Sequence, residues 1–456
     1  MPVLPLGISW FLAVGLAFLD GRRGWVGWLS VGALASTLAA LVWLSGIVLE
    51  EGPVEMVAGG WPPGVGITIR ADSLGVLFAL LSTAVLLMAT SYEVIGGVRT
   101  RTFPALVLLM ATGLNGLFLT GDVFNFYVFF EVSMTAAFVL ASYGEEGRHM
   151  RATLIFVVVN LLGSVLFLSA VASLYHVTGS LDMLEIASRV DAENPTPIML
   201  VATLLLVAFG TKLGLFPFHY WLPAVYRDTI PAVTAILAGA LANIGSFGLL
   251  RFGAEILPEA LHTGATALLV LGSLSIVYGE IQAVSRFPAD EVLAYSSIGQ
   301  VGYVLIALAI GGLAGYTAAI FYTVANSLNK TTLFLGTERQ GKLISISFPI
   351  GAFSVAGVPP SVGFFGKVTV FQAAISVQNW TIVALVFLGG ALSLIYMFQI
   401  YQRDFWAEQS RRGDSPLVTQ LPVLVPAVVL IALGVWPEPL LAFSQRVGAV
   451  LSGGLP

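Results

Sequence analysis

Residues 207–223 read VAFGTKLGLFPFHYWLP, an apolar stretch that carries Lys212 and then the helix breakers Gly214 and Pro217. Proline removes a backbone donor and clashes with the preceding turn, so a helix through this stretch should break near Pro217. Backbone freed in this way is tolerated at membrane depth only against protein or a water-filled cavity. An ionisable residue beside such a break is the pattern expected of an ion site.

The composition of the whole chain places this stretch in lipid. Of 456 residues, 57% are hydrophobic and only 10% are charged, against about 25% charged residues in an ordinary soluble domain. The absence of cysteine excludes disulfides, thiolate-held metals and iron–sulfur centres. The four histidines are scattered near the ends of apolar runs, which argues against a transmembrane haem. A net charge of −5 without a basic block argues against nucleic-acid binding.

Apolar segments of about 20 residues, the length needed to cross the hydrocarbon core, follow one another along the chain. They predict an all-α polytopic membrane protein with about 14 transmembrane helices. The first segment has no basic residue ahead of it and no cleavage pattern, so we expect a permanent span rather than a signal peptide. The segments are 3–19, 25–48, 73–92, 103–119, 122–142, 152–175, 197–217, 231–252, 264–283, 291–311, 314–335, 347–375, 382–402 and 416–435.

The loop charges predict the orientation, because cytoplasmic loops collect lysine and arginine. With fourteen spans and an outside N-terminus, thirteen loop cations fall on one side and four on the other. Both termini are therefore predicted on the non-cytoplasmic side of a cell membrane. The thirteen are Arg22, Arg23, Arg99, Arg101, Arg148, Arg151, Arg227, Arg286, Arg339, Lys342, Arg403, Arg411 and Arg412, and the four are Arg70, Arg189, Arg251 and Arg446.

Two loop segments have recognisable patterns of their own. GGWPPGVGITIRAD, within 49–72, predicts a short hairpin on the outer surface, and LDMLEIASRV (181–190) predicts a short amphipathic surface helix. No linker divides the chain, so its regions belong to one membrane domain. The predicted regions are 1–102 with spans 1–3 and the hairpin, 103–253 with spans 4–8, 254–402 with spans 9–13, and 403–456 with span 14 and the tail.

Three of the four lysines, Lys212, Lys330 and Lys367, lie inside apolar spans. Each costs about 2.5–3.5 kcal/mol on insertion scales. Arginine does not release its proton in a protein, whereas a buried lysine can, which gives a reason to keep lysine in the interior. Snorkelling or a structural ion pair is the alternative explanation for any one of them.

Glu131 is the clear interior acid. It lies nine residues beyond Asp122 in GDVFNFYVFFE, about 13 Å along a helix and near the bilayer midplane. Such a carboxylate needs a cation or water, and Lys212 is its candidate partner. Glu280, near the end of span 9, is interpreted as a helix-end residue that reaches the headgroups.

The two remaining lysines have different surroundings. Lys367 follows Pro359 and Pro360 in a second broken span, the twelfth, which lies five spans after the first. This spacing predicts two inverted five-helix repeats, spans 4–8 and 9–13, with broken helices 7 and 12. Lys330 lies in an unbroken span, flanked by polar residues that could hold a file of water. These are Asn326, Ser327, Asn329 and Thr331.

Five stretches together resemble the antiporter-like subunit family shared by respiratory complex I and the Mrp-type sodium/proton antiporters. The resemblance covers at least spans 3–13. TGDVFNFYVFFE and GGWPPGVGI are most similar to the D-type branch of the Mrp subunits and its relatives in membrane-bound hydrogenases. The stretches are TGDVFNFYVFFE (120–131), GTKLGLFPFHYWLPAVYRD (210–228), LAYSSIGQVGY (293–303), NKTTLFL (329–335) and VAGVPPSVGFFGK (355–367).

The resemblance implies a proton path along the membrane midplane. Glu131 and Lys212 would be the coupled pair of the first half-channel, Lys330 a central relay site and Lys367 the terminal site of the second. It further implies hetero-oligomeric membrane partners, among them a homologous antiporter-like subunit. No cofactor is expected in this chain, and the transported ions would be H⁺ and Na⁺. Candidate polar groups of a water relay are Asn243, Asn326, Asn329, Ser327 and His219.

Two positions depart from the family pattern. Asn243 stands in span 8 where relatives usually place a lysine, and Asn326 stands where a histidine is common. Asparagine hydrogen-bonds water but does not take up a proton near neutral pH. A link between the halves would then run through water or be interrupted.

Three functions remain open from the sequence. The leading one is a proton-translocating subunit of a multisubunit cation/proton antiporter. The second is a pump module of a redox-driven hydrogenase or complex I assembly, in which partners would hold the redox centres. The third is a scaffold subunit that no longer conducts. A single-chain symporter for an organic substrate is disfavoured, because the interior polar groups form no cluster suited to a carboxylate or sugar.

Overall fold

The computed structural model describes residues 1–61, 66–143, 147–190, 195–406 and 415–453, except the side chains of Arg148 and Pro195. Helices account for most of this part of the chain. Those of the N-terminal half are α1 (Leu4–Ala17), α2 (Gly24–Glu51), α3 (Ser73–Gly96), α4 (Phe103–Phe118), α5 (Val123–Ala141), α6 (Gly147–Thr178), α7 (Met183–Val190), α8 (Pro195–Leu213), α9 (Trp221–Asp228), α10 (Pro231–Ile236) and α11 (Asn243–Gly248).

Span 8 is one irregular helix, Pro231–Ile256, in which α10 and α11 alternate with π-helical turns at Leu237–Leu241 and Leu249–Ile256. The helices that follow it are α12 (Pro258–Ser285), α13 (Ala289–Ile310), α14 (Gly312–Leu335), α15 (Lys342–Ala356), α16 (Val362–Ser376), α17 (Trp380–Tyr401), α18 (Leu417–Val435) and α19 (Glu438–Leu451).

Short elements connect some of the long helices. Strand β1 (Val54–Val57) pairs antiparallel with β2 (Thr68–Ala71), so the alternating GITIR stretch contributes a strand. The Pro-Pro turn predicted for this hairpin falls on residues 62–65, outside the described part, as do Arg411 and Arg412. The predicted amphipathic helix is confirmed as α7, which buries Met183 and Ile186 on one face.

Ten helices in the described part are long and apolar enough to cross a membrane, and α1, α4, α15 and α16 are shorter apolar helices. The chain is therefore a helical, multi-pass membrane protein. Helix α14 is long as well, but Asn326, Asn329 and Lys330 make it more polar. Such a helix is tolerated in lipid only where other helices cover it.

The covering is provided by a central row of helices. Buried residues make up 94% of the most apolar part of span 8, 83% in α13 and 72% in α3, but only 28% in α12 and 33% in α17. From Gly315 to Leu335 every residue of α14 is buried. Gly239 allows span 8 to approach α14, since a Cβ there would lie 2.5 Å from the Thr331 hydroxyl. Polar side chains thus face the centre of the bundle rather than lipid.

Candidate functional site

Lys212 lies at the end of α8, immediately before the first helix break. The helix ends at Leu213, Gly214 takes a left-handed conformation with φ of 68°, and α9 begins at Trp221. The Lys212 amine is buried, donates to the carbonyl oxygen of Asn160 at 3.1 Å, and lies 4.4 Å from the centroid of the Phe130 ring. A carbonyl and an aromatic face both favour an ammonium group.

Glu131 lies next to Phe130 on α5 and acts electrostatically on Lys212. The two form no direct ion pair among the described residues, and Oε1 of Glu131 is buried without a hydrogen-bond partner. The structure therefore brings the two predicted partners into the same region without contact. An unpaired buried carboxylate oxygen is costly, so this arrangement leaves an acceptor ready for a cation, a proton or water.

Lys330 is buried in α14, with an exposure of 6%. Its amine makes no hydrogen bond or ion pair with any described residue, and the side-chain oxygens of Asn326 and Asn329 also lack partners. Buried polar groups are ordinarily satisfied by protein or by ordered water. Two unsatisfied amide oxygens within about one turn of Lys330 favour water along this face of the helix.

Asn243 links span 8 to its neighbours. Its amide donates to the hydroxyl of Ser82 at 3.1 Å and to the carbonyl of Gly239 at 2.9 Å. Its oxygen accepts from the hydroxyl of Ser327 at 2.8 Å. Asn243, which stands where the resemblance implies a lysine, thus has both its amide nitrogen and its oxygen hydrogen-bonded, and its partner Ser327 lies one helical turn from Lys330.

Lys367 follows the second helix break. Helix α15 ends at Ala356, Gly357 is left-handed with φ of 80°, and α16 begins at Val362 after Pro359 and Pro360. The buried Lys367 amine donates to the carbonyl of Ala356 at 3.2 Å and lies 5.4 Å from the centroid of the Tyr303 ring.

The interpretation of Glu280 as a headgroup-reaching residue is wrong. Its side chain has no exposure, and its carboxylate accepts hydrogen bonds from Gln300 at 2.9 Å and from Ser393 at 3.1 Å. The reason is the close approach of α12 to α13, in which a Cβ at Gly279 would lie 2.3 Å from the backbone nitrogen of Gly299. Small residues at helical spacing on both helices were the signal available in the sequence.

His219 lies inside the first break. Its ring stacks with those of Phe216 and Tyr220 and lies 4.5 Å, centroid to centroid, from the tilted ring of Tyr278. Its buried Nδ1 has no hydrogen-bond partner among the residues that the structure describes. It lines a cavity of about 260 Å³ that has polar and aromatic walls. The other lining residues are Tyr220, Pro223, Ala224, Arg227, Tyr278, Glu291 and Tyr295.

A second charged cluster joins β2, the start of α3 and the end of span 8. Asp72 caps α3 by accepting from the backbone of Gly75 at 2.8 Å, and Arg251 donates to its carboxylate at 2.8 Å. Arg70 lies 3.4 Å from Asp72 and 2.9 Å from Glu255. Burial opposes ionisation of Asp72, but Arg251 and Arg70 outweigh it and lower its pKa to about 2. The pairing of opposite charges makes this cluster structural.

The site as a whole is a series of buried amines, carboxylates and amides that crosses the bundle from α5 and α8 to α14, α16 and α12. Lys212 and Lys367 each contact a backbone carbonyl and an aromatic ring, which are uncharged. Lys330 has no hydrogen-bond or ion-pair partner among the described residues. The groups can exchange protons through water and short displacements, and they carry no arrangement suited to covalent chemistry.

The whole chain is similar to known membrane proteins of one kind. The family model described as NADH:quinone oxidoreductase/Mrp antiporter, TM, matches residues 120–340 and 338–393. The D subunit of the Na⁺/H⁺ antiporter of Alkalihalophilus pseudofirmus is 32% identical over 442 residues, covering 91% of this chain and 90% of that protein.

Two solved structures share the fold over nearly the full length. A chain of the Mrp complex from Dietzia sp. DQ12-45-1b superposes with a TM-score of 0.89 at 25% identity, covering 98% of both chains. A chain of an archaeal respiratory complex, the membrane-bound sulfane sulfur reductase, superposes with a TM-score of 0.91 at 25% identity, covering 99% of this chain and 97% of that one.

Proposed function

We propose a function on one premise: this chain belongs to the NADH:quinone oxidoreductase/Mrp antiporter transmembrane family. It is the proton-translocating subunit of a multisubunit cation/proton antiporter and exchanges H⁺ for Na⁺. The observation that carries the proposal is the burial of Lys212, Lys330 and Lys367, with exposures of 5%, 6% and 5%, without a direct ion pair among the described residues. Buried cations left unpaired in a membrane mark an ion path.

The proposed architecture supports this path. Each of the fourteen predicted segments overlaps one of the helices, or the pair α15 and α16 in the twelfth. The twelfth span, which is broken, lies five spans after the seventh, which is broken as well. This spacing corresponds to inverted repeats of spans 4–8 and 9–13. Both breaks begin with a left-handed glycine, Gly214 and Gly357. Both termini then lie on the non-cytoplasmic side.

The proposed mechanism is a change of ion pair. When the Glu131 carboxylate approaches Lys212, the ammonium form is favoured, and when the two separate the amine gives up its proton. The carbonyl of Asn160 holds the amine between these states, because it accepts a hydrogen bond and keeps a constant charge. The released proton moves through water towards Lys330 and on to Lys367. The partners are other membrane subunits, among them a homologous antiporter-like subunit.

The test is Lys212→Ala in the intact complex, reconstituted into vesicles, with a pH-sensitive dye inside. Addition of Na⁺ should dissipate a pH gradient in the wild type but not in the variant, while the subunits still co-purify. Lys342→Ala is the matched control, because Lys342 is the fourth lysine and is exposed at the start of α15. Undiminished transport by Lys212→Ala would remove this residue from the mechanism.

A redox-driven module is the second candidate, favoured by the structural likeness to the membrane-bound sulfane sulfur reductase. This chain would then move protons by the same relay, driven by electron transfer in its partners. Identification of the co-purifying subunits separates the two candidates. Iron–sulfur proteins in the purified complex would favour the redox-driven one.

A non-conducting scaffold is the third candidate, and the saturated hydrogen bonding of Asn243 favours it. The double variant Asn243→Lys, Asn326→His restores the residues usual in relatives. Transport by this variant, with none in the wild type, would support the scaffold. Transport by the wild type itself would exclude it.

A further inference from the structure

Glu280 is a buried acid that the relay described above does not use. It lies five residues before the end of α12, and its carboxylate is enclosed by Gln300 on α13 and by Ser393 and Tyr396 on α17. None of these three side chains carries a positive charge. A buried carboxylate without a cation is destabilised unless it is protonated, so a partner of opposite charge is needed to stabilise its ionised form.

Lys367 is the cation that acts electrostatically on Glu280. The two do not form a direct ion pair among the described residues. The phenol ring of Tyr303 lies 5.4 Å from the Lys367 amine, and it acts electrostatically with Glu280. Its hydroxyl is buried and has no hydrogen-bond partner in the part of the chain that the structure describes. Its ring lies 5.1 Å from that of Tyr322, whose hydroxyl donates to Gln300. A phenol hydroxyl near both an acid and an amine can pass a proton from one to the other.

The first half of the molecule shows why a carboxylate is needed here. Glu131 is the ninth residue of α5, and Gln300 is the twelfth residue of α13, the corresponding helix of the second repeat. The difference is about 4.5 Å along a helix. An amide does not take up a proton near neutral pH, so Gln300 cannot replace Glu131. The acid is supplied instead by Glu280 on the neighbouring helix, to which Gln300 donates.

The depth of Glu280 fits proton access from one face. Glu280 lies about 8 Å along α12 from the end of that helix at the predicted cytoplasmic face. Helix α15 starts at the same face and runs about 21 Å to Ala356, whose carbonyl binds Lys367. The Lys367 amine is therefore deeper in the membrane than Glu280. The hydroxyl pair of Ser296 and Tyr396, 2.8 Å apart, adjoins Glu280. Ser296 follows Tyr295, which lines the 260 Å³ cavity. A proton from the predicted cytoplasmic face would therefore meet Glu280 before Lys367.

We propose that Glu280 is the carboxylate partner of Lys367 and transfers protons to it from the predicted cytoplasmic face in the part of the cycle in which no proton arrives from Lys330 and the Lys367 amine is neutral. This inference rests on the proposed function. A hydronium ion from the predicted cytoplasmic face protonates the Glu280 carboxylate and becomes water, and the carboxylic acid then gives its proton, through the Tyr303 hydroxyl or water, to the neutral Lys367 amine. The products are a carboxylate and an ammonium, which attract each other until the ammonium passes its proton on. The second half-channel thus has its own acid–amine pair, matching Glu131 and Lys212.

The test uses the intact complex in vesicles, with the Na⁺-dependent pH-gradient assay. Glu280→Gln keeps the hydrogen-bond acceptor for Gln300 but cannot carry a proton, and transport should fall by about a hundredfold. The matched control is Glu93→Gln, because Glu93 is a carboxylate of α3 that is 2% exposed and accepts from a tyrosine hydroxyl, that of Tyr143, at 2.6 Å. This control should transport like the wild type.

A rescue variant separates proton transfer from a structural role. The exchange Glu280→Gln, Gln300→Glu returns the carboxylate to α13 and preserves the hydrogen-bonded pair. It should recover transport relative to Glu280→Gln, and it remains informative if the single variant does not assemble. Wild-type rates in Glu280→Gln, or an assembled exchange variant without transport, would overturn the inference.

Comparison with Lys212→Ala distinguishes a refutation of the role of Glu280 from a refutation of the proposed function. If Lys212→Ala abolishes transport and Glu280→Gln does not, only the role of Glu280 is refuted. If both variants transport at the wild-type rate, the proton relay itself is refuted.

Discussion

The side-chain oxygen of Asn243 accepts a hydrogen bond from the hydroxyl of Ser327 at 2.8 Å, which ties span 8 to α14 beside Lys330. The amide of Asn243 also donates to Ser82 on α3. Three of the most buried helices therefore meet at one uncharged side chain. Such a group orders its neighbours and any adjoining water, but it cannot store a proton.

We expect Asn243→Leu to lower Na⁺-dependent proton transport by roughly tenfold or more, because an apolar side chain interrupts the polar path between Lys212 and Lys330. It also leaves the Ser327 hydroxyl without its acceptor, at about 1–3 kcal/mol, and removes the amide that donates to Ser82, so the melting temperature of the complex should fall. Thr323→Val is the control, since the one hydrogen bond that the Thr323 hydroxyl makes with the described residues is to a carbonyl of its own helix, that of Ala319. Wild-type transport by Asn243→Leu would place the path elsewhere.

Lys330→Arg should be as inactive as Lys330→Ala. Arginine keeps the positive charge but does not release its proton in a protein, so a relay that needs a neutral form stops. The measurement is the vesicle pH-gradient assay, with co-purification of the subunits as the check on assembly. Transport by Lys330→Arg at the wild-type rate would mean that this position supplies only charge.

His219→Phe tests whether the imidazole conducts or merely packs. Phenylalanine fits the same aromatic stack with Phe216 and Tyr278 but offers no nitrogen to water in the 260 Å³ cavity. We expect transport to fall severalfold while the melting temperature stays within a few degrees of the wild type. Unchanged transport would assign His219 to packing alone.

Asp72→Asn should lower the stability of the complex at neutral pH by about 1.5–3 kcal/mol, because Arg251 and Arg70 lose a charged acceptor and keep Glu255 as the anionic partner that both share. The folded-state pKa of Asp72, about 2, lies below the unfolded value of about 3.9. Its stabilising contribution is therefore complete above pH 4 and is lost as the pH falls from about 4 to about 2.

Melting temperatures measured across this range should show the difference between wild type and Asp72→Asn shrinking as the pH falls. Asp20→Asn is the control, since Asp20 pairs with Arg22 at the exposed surface and such pairs contribute little. A pH-independent difference for Asp72→Asn would assign the loss to the helix cap rather than to charge.

Much of the fold could be predicted from the sequence, because hydrophobic length and helix breakers act locally. The break after Lys212 follows from Gly214 and Pro217, and the amphipathic α7 follows from the pattern of Met183 and Ile186. The family was also predictable, because its motifs are short and lie at the breaks and the buried ionisable residues.

The contacts of the site could not be predicted in the same way, because they depend on how closely helices approach. The sequence predicts that Glu280 reaches the headgroups, because it lies only five residues from the end of its helix. The interpretation is wrong because the close contact of α12 with α13, which Gly279 and Gly299 allow, encloses the side chain. The carbonyl of Asn160 as the acceptor for Lys212 is equally invisible in sequence, since every residue carries one.

The hydrogen bond from the Lys367 amine to the carbonyl of Ala356 is possible because residue 360 has no amide hydrogen to donate to that carbonyl. In a continuous helix the oxygen of Ala356 would accept from the amide of residue 360, four positions on, and that residue is Pro360, which has no amide hydrogen. The oxygen is left for the ammonium, which reaches it at 3.2 Å. Pro360, an uncharged residue seven positions before Lys367, thus determines where the Lys367 ammonium binds. A substitution of Pro360 would change the surroundings of this amine although every ionisable group stayed in place.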